Sequence, residues 1–87
     1  MRVNEAEWRF ERGEGGDVVF ARFRPAEGRV LITHVEAPRH LRGSGEAARL
    51  MQEIADHLRA TGQKVTPLCG YAALWFRRHP AYADLLA

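Results

Sequence analysis

The chain has 87 residues, 46% hydrophobic and 28% charged, the balance of one folded soluble domain spanning 1–87 and not of a disordered segment. Its 13 basic and 11 acidic groups leave a net charge of +2; with a pI near 9.2 this is weak ground for a nucleic-acid partner and suits a small polyanion equally well. No apolar run approaches the roughly 18 residues of a membrane span, the polar start Met1-Arg2-Val3-Asn4-Glu5 lacks a signal core, and the single Cys69 builds neither an internal disulfide nor a cysteine-rich zinc site, so we expect a cytoplasmic protein with no metal, no nucleic acid and no membrane among its partners.

The first predicted strand is Trp8-Arg9-Phe10-Glu11-Arg12, where apolar and polar residues alternate before the turn cluster Gly13-Glu14-Gly15-Gly16-Asp17. A second strand, Val18-Val19-Phe20-Ala21-Arg22-Phe23-Arg24, ends at the turn Pro25-Ala26-Glu27-Gly28. The third runs over 29–36 and is almost continuously apolar through Val30-Leu31-Ile32, which predicts an interior place in the sheet. Short turns between these runs favour a three-stranded antiparallel meander. The period then changes. Ala47, Leu50, Met51, Ile54, Ala55 and Leu58 recur at helical spacing, predicting an amphipathic helix over 44–61 that Gly62 ends. Lys64-Val65-Thr66-Pro67 reads as a short fourth strand, and a second helix over 70–78 stops before His79-Pro80. Residues 81–86 form a last helical turn. The expected fold class is therefore α+β, a mixed α/β arrangement of meander, helix, strand and helix with a right-handed strand–helix–strand crossover.

Between the third strand and the long helix lies Pro38-Arg39-His40-Leu41-Arg42-Gly43-Ser44-Gly45-Glu46-Ala47. The first N–H groups of a helix have no internal partner, and the aligned peptide dipoles place partial positive charge there. Two glycines remove the Cβ atoms that would hold an anion away, so the segment suits a phosphate or pyrophosphate. A P-loop needs Lys and Ser or Thr where Glu46-Ala47 stands, and a dinucleotide fingerprint needs a third glycine and a later acidic residue where Arg49 and Thr66 stand. A pyrophosphate loop for an acyl-CoA remains, beside the plainer reading of a tight turn with Ser44 as helix cap.

At this loop the sequence resembles the GNAT acetyltransferases, whose signature is Gln or Arg, two variable residues, Gly, one variable residue, then Gly or Ala; His40-Leu41-Arg42-Gly43-Ser44-Gly45 matches except at His40. With Ile32-Thr33-His34-Val35-Glu36-Ala37-Pro38, Pro67-Leu68-Cys69-Gly70-Tyr71 and Arg78-His79-Pro80-Ala81-Tyr82-Ala83-Asp84-Leu85, the chain after about Val18 is similar to the small single-domain GNAT-like family characterised by a cysteine and the glycine loop. It departs from that pattern at Val35, commonly Thr, and Ala37, commonly Val. The resemblance implies a truncated GNAT fold, acetyl-CoA as cofactor and an amine as acceptor. It implies that the pantetheine arm lies along the third strand at Val35, Glu36 and Ala37, and that the pyrophosphate meets Arg42, Gly43, Ser44, Gly45 and Glu46, with Tyr71 nearby.

Acetyl transfer to an amine needs a base, a polarised thioester carbonyl and a proton for the departing thiolate. Cys69 sits just before the second helix, where helix-end charge favours a thiolate. It reads either as an acyl-carrying nucleophile or as a small residue lining the acyl pocket. His34 and Glu36 share a facing under strand alternation and are the candidate bases, or equally a structural histidine and a solvated strand-end carboxylate. Tyr71 is placed to protonate the thiolate or to pack against the sheet. A non-catalytic acyl-CoA-binding or sensing module stands as the alternative function.

Overall fold

The computed structural model describes residues 1–87. In chain order it contains β1 (Arg2–Asn4), β2 (Arg9–Arg12), a 3₁₀ turn (Gly15–Asp17), β3 (Val19–Ala26) and β4 (Arg29–Glu36). A second 3₁₀ turn (Arg39–Leu41) leads into α1 (Glu46–Thr61), β5 (Lys64–Pro67), α2 (Gly70–Arg78) and a closing 3₁₀ segment (Pro80–Leu85). The strands form one sheet in the order β1-β2-β3-β4-β5. β1 to β4 are antiparallel neighbours, and β5 lies parallel to β4 after the α1 crossover.

The antiparallel meander thus has four strands, not the expected three. β1 escapes periodicity because it is short and mostly polar. Its register, Arg2↔Glu11, Val3↔Phe10 and Asn4↔Arg9, is held by side chains: Arg2 Nε donates to Glu11 at 3.0 Å and Asn4 Nδ2 to the same carboxylate at 3.1 Å. Glu11 is only 6% exposed, and Arg9 completes its coordination at 2.8 Å. The turn after β3 is also shorter than expected. Ala26 pairs with Arg29, leaving Glu27-Gly28 as a two-residue hairpin loop in which Gly28 takes φ +70°.

One face of the sheet carries the core. Phe10, Val19, Ala21, Phe23, Val30 and Ile32 pack against Leu50, Met51, Ile54 and Leu58 of α1 and Ala72, Trp75 and Phe76 of α2, with Leu85 closing the end. Each fully buried large side chain contributes about 1.5–3 kcal/mol, which is what holds two helices on so small a sheet. α1 starts at Glu46, later than the expected Ser44, because Gly45 adopts φ +88° and is not helical. It stops where expected: Gly62 is left-handed, and Gln63 N–H returns to Leu58 O at 2.9 Å.

Two irregularities shape the far end of β4. Arg22 pairs with His34 but Phe23 with Ile32, so Thr33 is an extra, bulged residue. The bulge resets the alternation. Ile32 and Val35 both face the core, and His34 and Glu36 face the other side together. The pairing of β4 with β5 also ends at Ile32↔Pro67. There the chain turns away: Leu68 and Cys69 N–H both donate to Ile32 O, at 2.8 and 3.3 Å. Beyond Ile32, β4 has a strand neighbour on one side only.

Burial pushes the Glu11 carboxyl pKa up, but hydrogen bonds and charge from Asn4, Arg9 and Arg2 outweigh it and leave it below the usual carboxylate range. A carboxyl lowered by folding stabilises above its unfolded pKa, about 4.3, and loses that contribution as pH falls through the lower folded value. Glu11→Gln is therefore expected to lose on the order of 2 kcal/mol at pH 7 and to show a shallower decline in urea midpoint between pH 5 and pH 2 than the parent chain. Equal acid sensitivity in the two chains would contradict this assignment.

Candidate functional site

A cleft of about 960 Å³ opens where β4 leaves β5. Its floor is Val35, Glu36 and Ala37 of β4 and the residues just after it, with Val18 and Phe20 at the β3 side. Pro38, Leu41, Arg42, Gly43 and Gly45, with Ala47 and Ala48 of α1 and Tyr71 of α2, complete its lining. The lining is mostly apolar, with charge from Arg42 and Glu36.

The glycine loop supplies the polar end. Gly43 and Gly45 take φ +80° and +88°, a region in which a side chain is disfavoured by about 1–2 kcal/mol. A Cβ placed on Gly43 would meet nothing within 4 Å, and one on Gly45 only the Arg49 guanidinium at 4.0 Å. Backbone conformation therefore demands these glycines, while the space beside them stays open to a ligand. Ser44 is turned inward: its hydroxyl donates to Leu41 O and accepts from Glu46 N–H at 3.3 Å. The N–H groups of Gly43, Gly45, Ala47 and Ala48 make no hydrogen bond within the chain. All four residues line the cleft, and the dipole of a 16-residue helix adds to their positive potential.

An acidic residue at the first helical position would oppose an anion there. Glu46 is instead drawn aside. Arg12 Nε of β2 bonds its carboxylate at 2.8 Å and Arg49 at 2.6 Å, and those hydrogen bonds hold its pKa below the usual range. Glu46 does not line the cleft. Arg12, which also bonds Glu53 at 2.9 Å, went unnoticed in the sequence because nothing local relates it to a residue 34 positions on.

Of the other residues singled out in the sequence, Val35, Glu36, Ala37, Arg42, Gly43, Gly45 and Tyr71 meet in the cleft. Cys69 caps α2: its sulfur accepts from Ala72 N–H at 3.4 Å, and the half-buried side chain packs on the core. It lies beside the cleft without lining it. His34 faces away, its Nδ1 3.1 Å from Thr33 Oγ1, in a separate depression shared with Trp8, Arg22 and Arg24. Tyr71 is 43% exposed, and its partial burial raises the phenol pKa. Val18, Phe20, Ala47 and Ala48 were not singled out; the small pair after Gly-Ser-Gly was the available signal, since alanines leave a helix N-terminus approachable.

A family model described as GCN5-related N-acetyl-transferase matches residues 7–85. No curated protein matches the chain.

The positive φ angles give a direct test. Gly43→Ala and Gly45→Ala are each expected to lower the unfolding free energy by about 1–2 kcal/mol in urea titrations. Gly70→Ala, at an ordinary φ with open space around it, is expected to be neutral or stabilising by up to about 1 kcal/mol. Equal effects at all three positions would contradict the conformational role of the loop glycines.

Proposed function

The chain belongs to the GCN5-related N-acetyl-transferase family, and from that premise we propose that it binds acetyl-CoA in the cleft between β4 and α1 and transfers the acetyl group to an amine. The observation that carries this reading is the run of four unpaired N–H groups at Gly43, Gly45, Ala47 and Ala48, all on the cleft and all at the positive end of α1. Such donors suit a pyrophosphate, with Arg42 adding formal charge. The edge of β4 past Ile32 has no strand partner, and strand backbone groups point alternately to either side. Hydrogen-bonding groups are thus free for an extended, amide-bearing arm along Val35–Ala37. The apolar lining suits that arm's methylenes, so the residues present fit the cofactor.

Bound acetyl-CoA supplies a thioester acyl group to an attacking amine. In this reading Glu36, the one acidic residue bordering the cleft, accepts the proton released from the amine nitrogen through water at the end of β4. Tyr71 keeps its phenolic proton at neutral pH, its pKa raised by burial, and donates it to the departing thiolate. Cys69, held by Ala72 N–H and Ile32 O at the corner between β5 and α2, stands beside the cleft and in this reading carries no acyl group. A second reading, an acyl-CoA-binding module without turnover, draws on one observation: His34 and Cys69 stand outside the cleft.

Gly45→Glu places a carboxylate among the N–H donors and is expected to weaken acetyl-CoA binding at least 100-fold by isothermal titration calorimetry. Affinity equal to the parent chain would falsify the loop assignment. Tyr71→Phe is expected to lower kcat by 10- to 100-fold while changing the acetyl-CoA Kd less than threefold. Tight CoA binding with no acetylated product from a panel of amines would select the binding module.

A further inference from the structure

On the sheet face turned away from α1 and α2, the register lines up three basic residues on adjacent strands: Arg9 opposite Arg22, and Arg22 opposite His34. Neighbouring strands are about 4.8 Å apart, so the row spans roughly 10 Å. Arg9 is neutralised by Glu11 at 2.8 Å. Arg22 and Arg24 enter none of the chain's ion pairs. With His34, Thr33, Trp8 and the rim carboxylate Glu7, they line a depression of about 260 Å³, enough for a small molecule and too little for a folded partner. Two unpaired guanidinium groups against one carboxylate leave it cationic.

Trp8 gives the depression a fixed wall. It is the only non-glycine residue at positive φ, +52°, and it is 46% exposed although its ring meets Phe23 edge-on at 5.6 Å. Its carbonyl accepts from Phe23 N–H at 2.9 Å. A large apolar side chain held exposed in a strained conformation beside unpaired arginines is costly unless something packs there. The depression also adjoins the cleft along β4: Thr33 and His34 line one, Val35 and Glu36 the other.

We propose that this depression binds the carboxylate of the acceptor, and that the acceptor is a small amine bearing a carboxylate, of the amino-acid class. Arg22 and Arg24 take the carboxylate through charge-assisted hydrogen bonds, for which guanidinium geometry is suited, and Trp8 covers the carbon chain. The amine then points along Thr33 and His34 toward the acyl end of the cleft. This assignment rests on the acetyl-transfer reading, but the carboxylate site is testable without turnover.

The experiment titrates the full chain with N-acetylglycine and N-acetyl-β-alanine, and separately with their primary amides, following the Trp8 indole resonance by ¹H–¹⁵N NMR, assigned with Trp8→Phe. The acids are expected to shift it saturably and the amides at least tenfold more weakly. Arg22→Gln and Arg24→Gln, at exposed side chains outside every ion pair, are each expected to weaken acid binding at least fivefold and to leave the acetyl-CoA Kd within twofold. Equal binding of acid and amide, a response confined to Trp75, or acid binding unchanged in both variants would overturn the proposal. Loss of acetyl-CoA binding by the parent chain would instead overturn the functional reading, so the two failures are distinguishable.

Discussion

Strands β4 and β5 separate after the Ile32–Pro67 pair, and the arrangement of the functional end depends on that separation. Ile32 O is the last point at which β4 is tied to the chain beyond β5, receiving both Leu68 and Cys69 N–H groups. From there the chain turns into α2, while β4 continues with β3 alone. A strand with one neighbour has unsatisfied backbone groups along its free edge, and these are costly if buried and useful if a ligand pairs with them. The opposite edge of the sheet's parallel end is treated differently. Leu86 bridges to Val65, Ala87 N–H donates to Val65 O at 3.0 Å, and Thr66 Oγ1 donates to Ala87 O at 2.9 Å. The tail thus covers the outer edge of β5, leaving the gap beside β4 as the open edge facing the cleft.

The Thr33 bulge works with the separation. Without it, His34 and Glu36 would point into the core beneath Ile32, where a charged group finds no partner. With it, Val35 takes the core side and packs against the cluster, while the two polar residues reach the other face. One inserted residue thus turns a buried strand into one whose last side chains serve two surfaces, an apolar cleft floor and a polar depression.

Electrostatics around α1 are arranged so that the helix start remains free. Glu46 stands at a position where helix dipoles favour a carboxylate, and left alone it would occupy the same positive potential that a ligand needs. Arg12 and Arg49 hold it to one side. Ser44, the other group able to cap the helix, is committed to Leu41 O and Glu46 N–H. What remains facing the cleft is backbone, from glycine and alanine, which admits close approach.

Much of the chain was legible from local pattern. Alternation in 8–12, the nearly continuous apolar run in 29–36, helical spacing of Leu50, Met51, Ile54 and Leu58, and the stops at Gly62 and Pro80 are signals within one element, because they arise from backbone periodicity and from φ restrictions of glycine and proline. The glycine loop was legible for the same reason: a positive φ at Gly43 and Gly45 is a local demand. The existence of β1, the partnership of Arg12 with Glu46, and the burial of Glu11 were not, since each depends on side chains brought together from distant positions. Nor was the distribution of the candidate residues. Strand alternation put His34 and Glu36 on one side, as the structure has them, but only the bulge and the parting of β4 from β5 determined that Glu36 lines the cleft, that His34 lies in another depression with Arg22 and Trp8, and that Cys69 caps a helix beside them. The sequence by itself determined the elements other than β1, and a glycine loop suited to an anion. The tertiary structure decided which side chains face the cleft beside that loop, because facing is set by register and by where neighbouring strands end, and both are properties of pairs of segments.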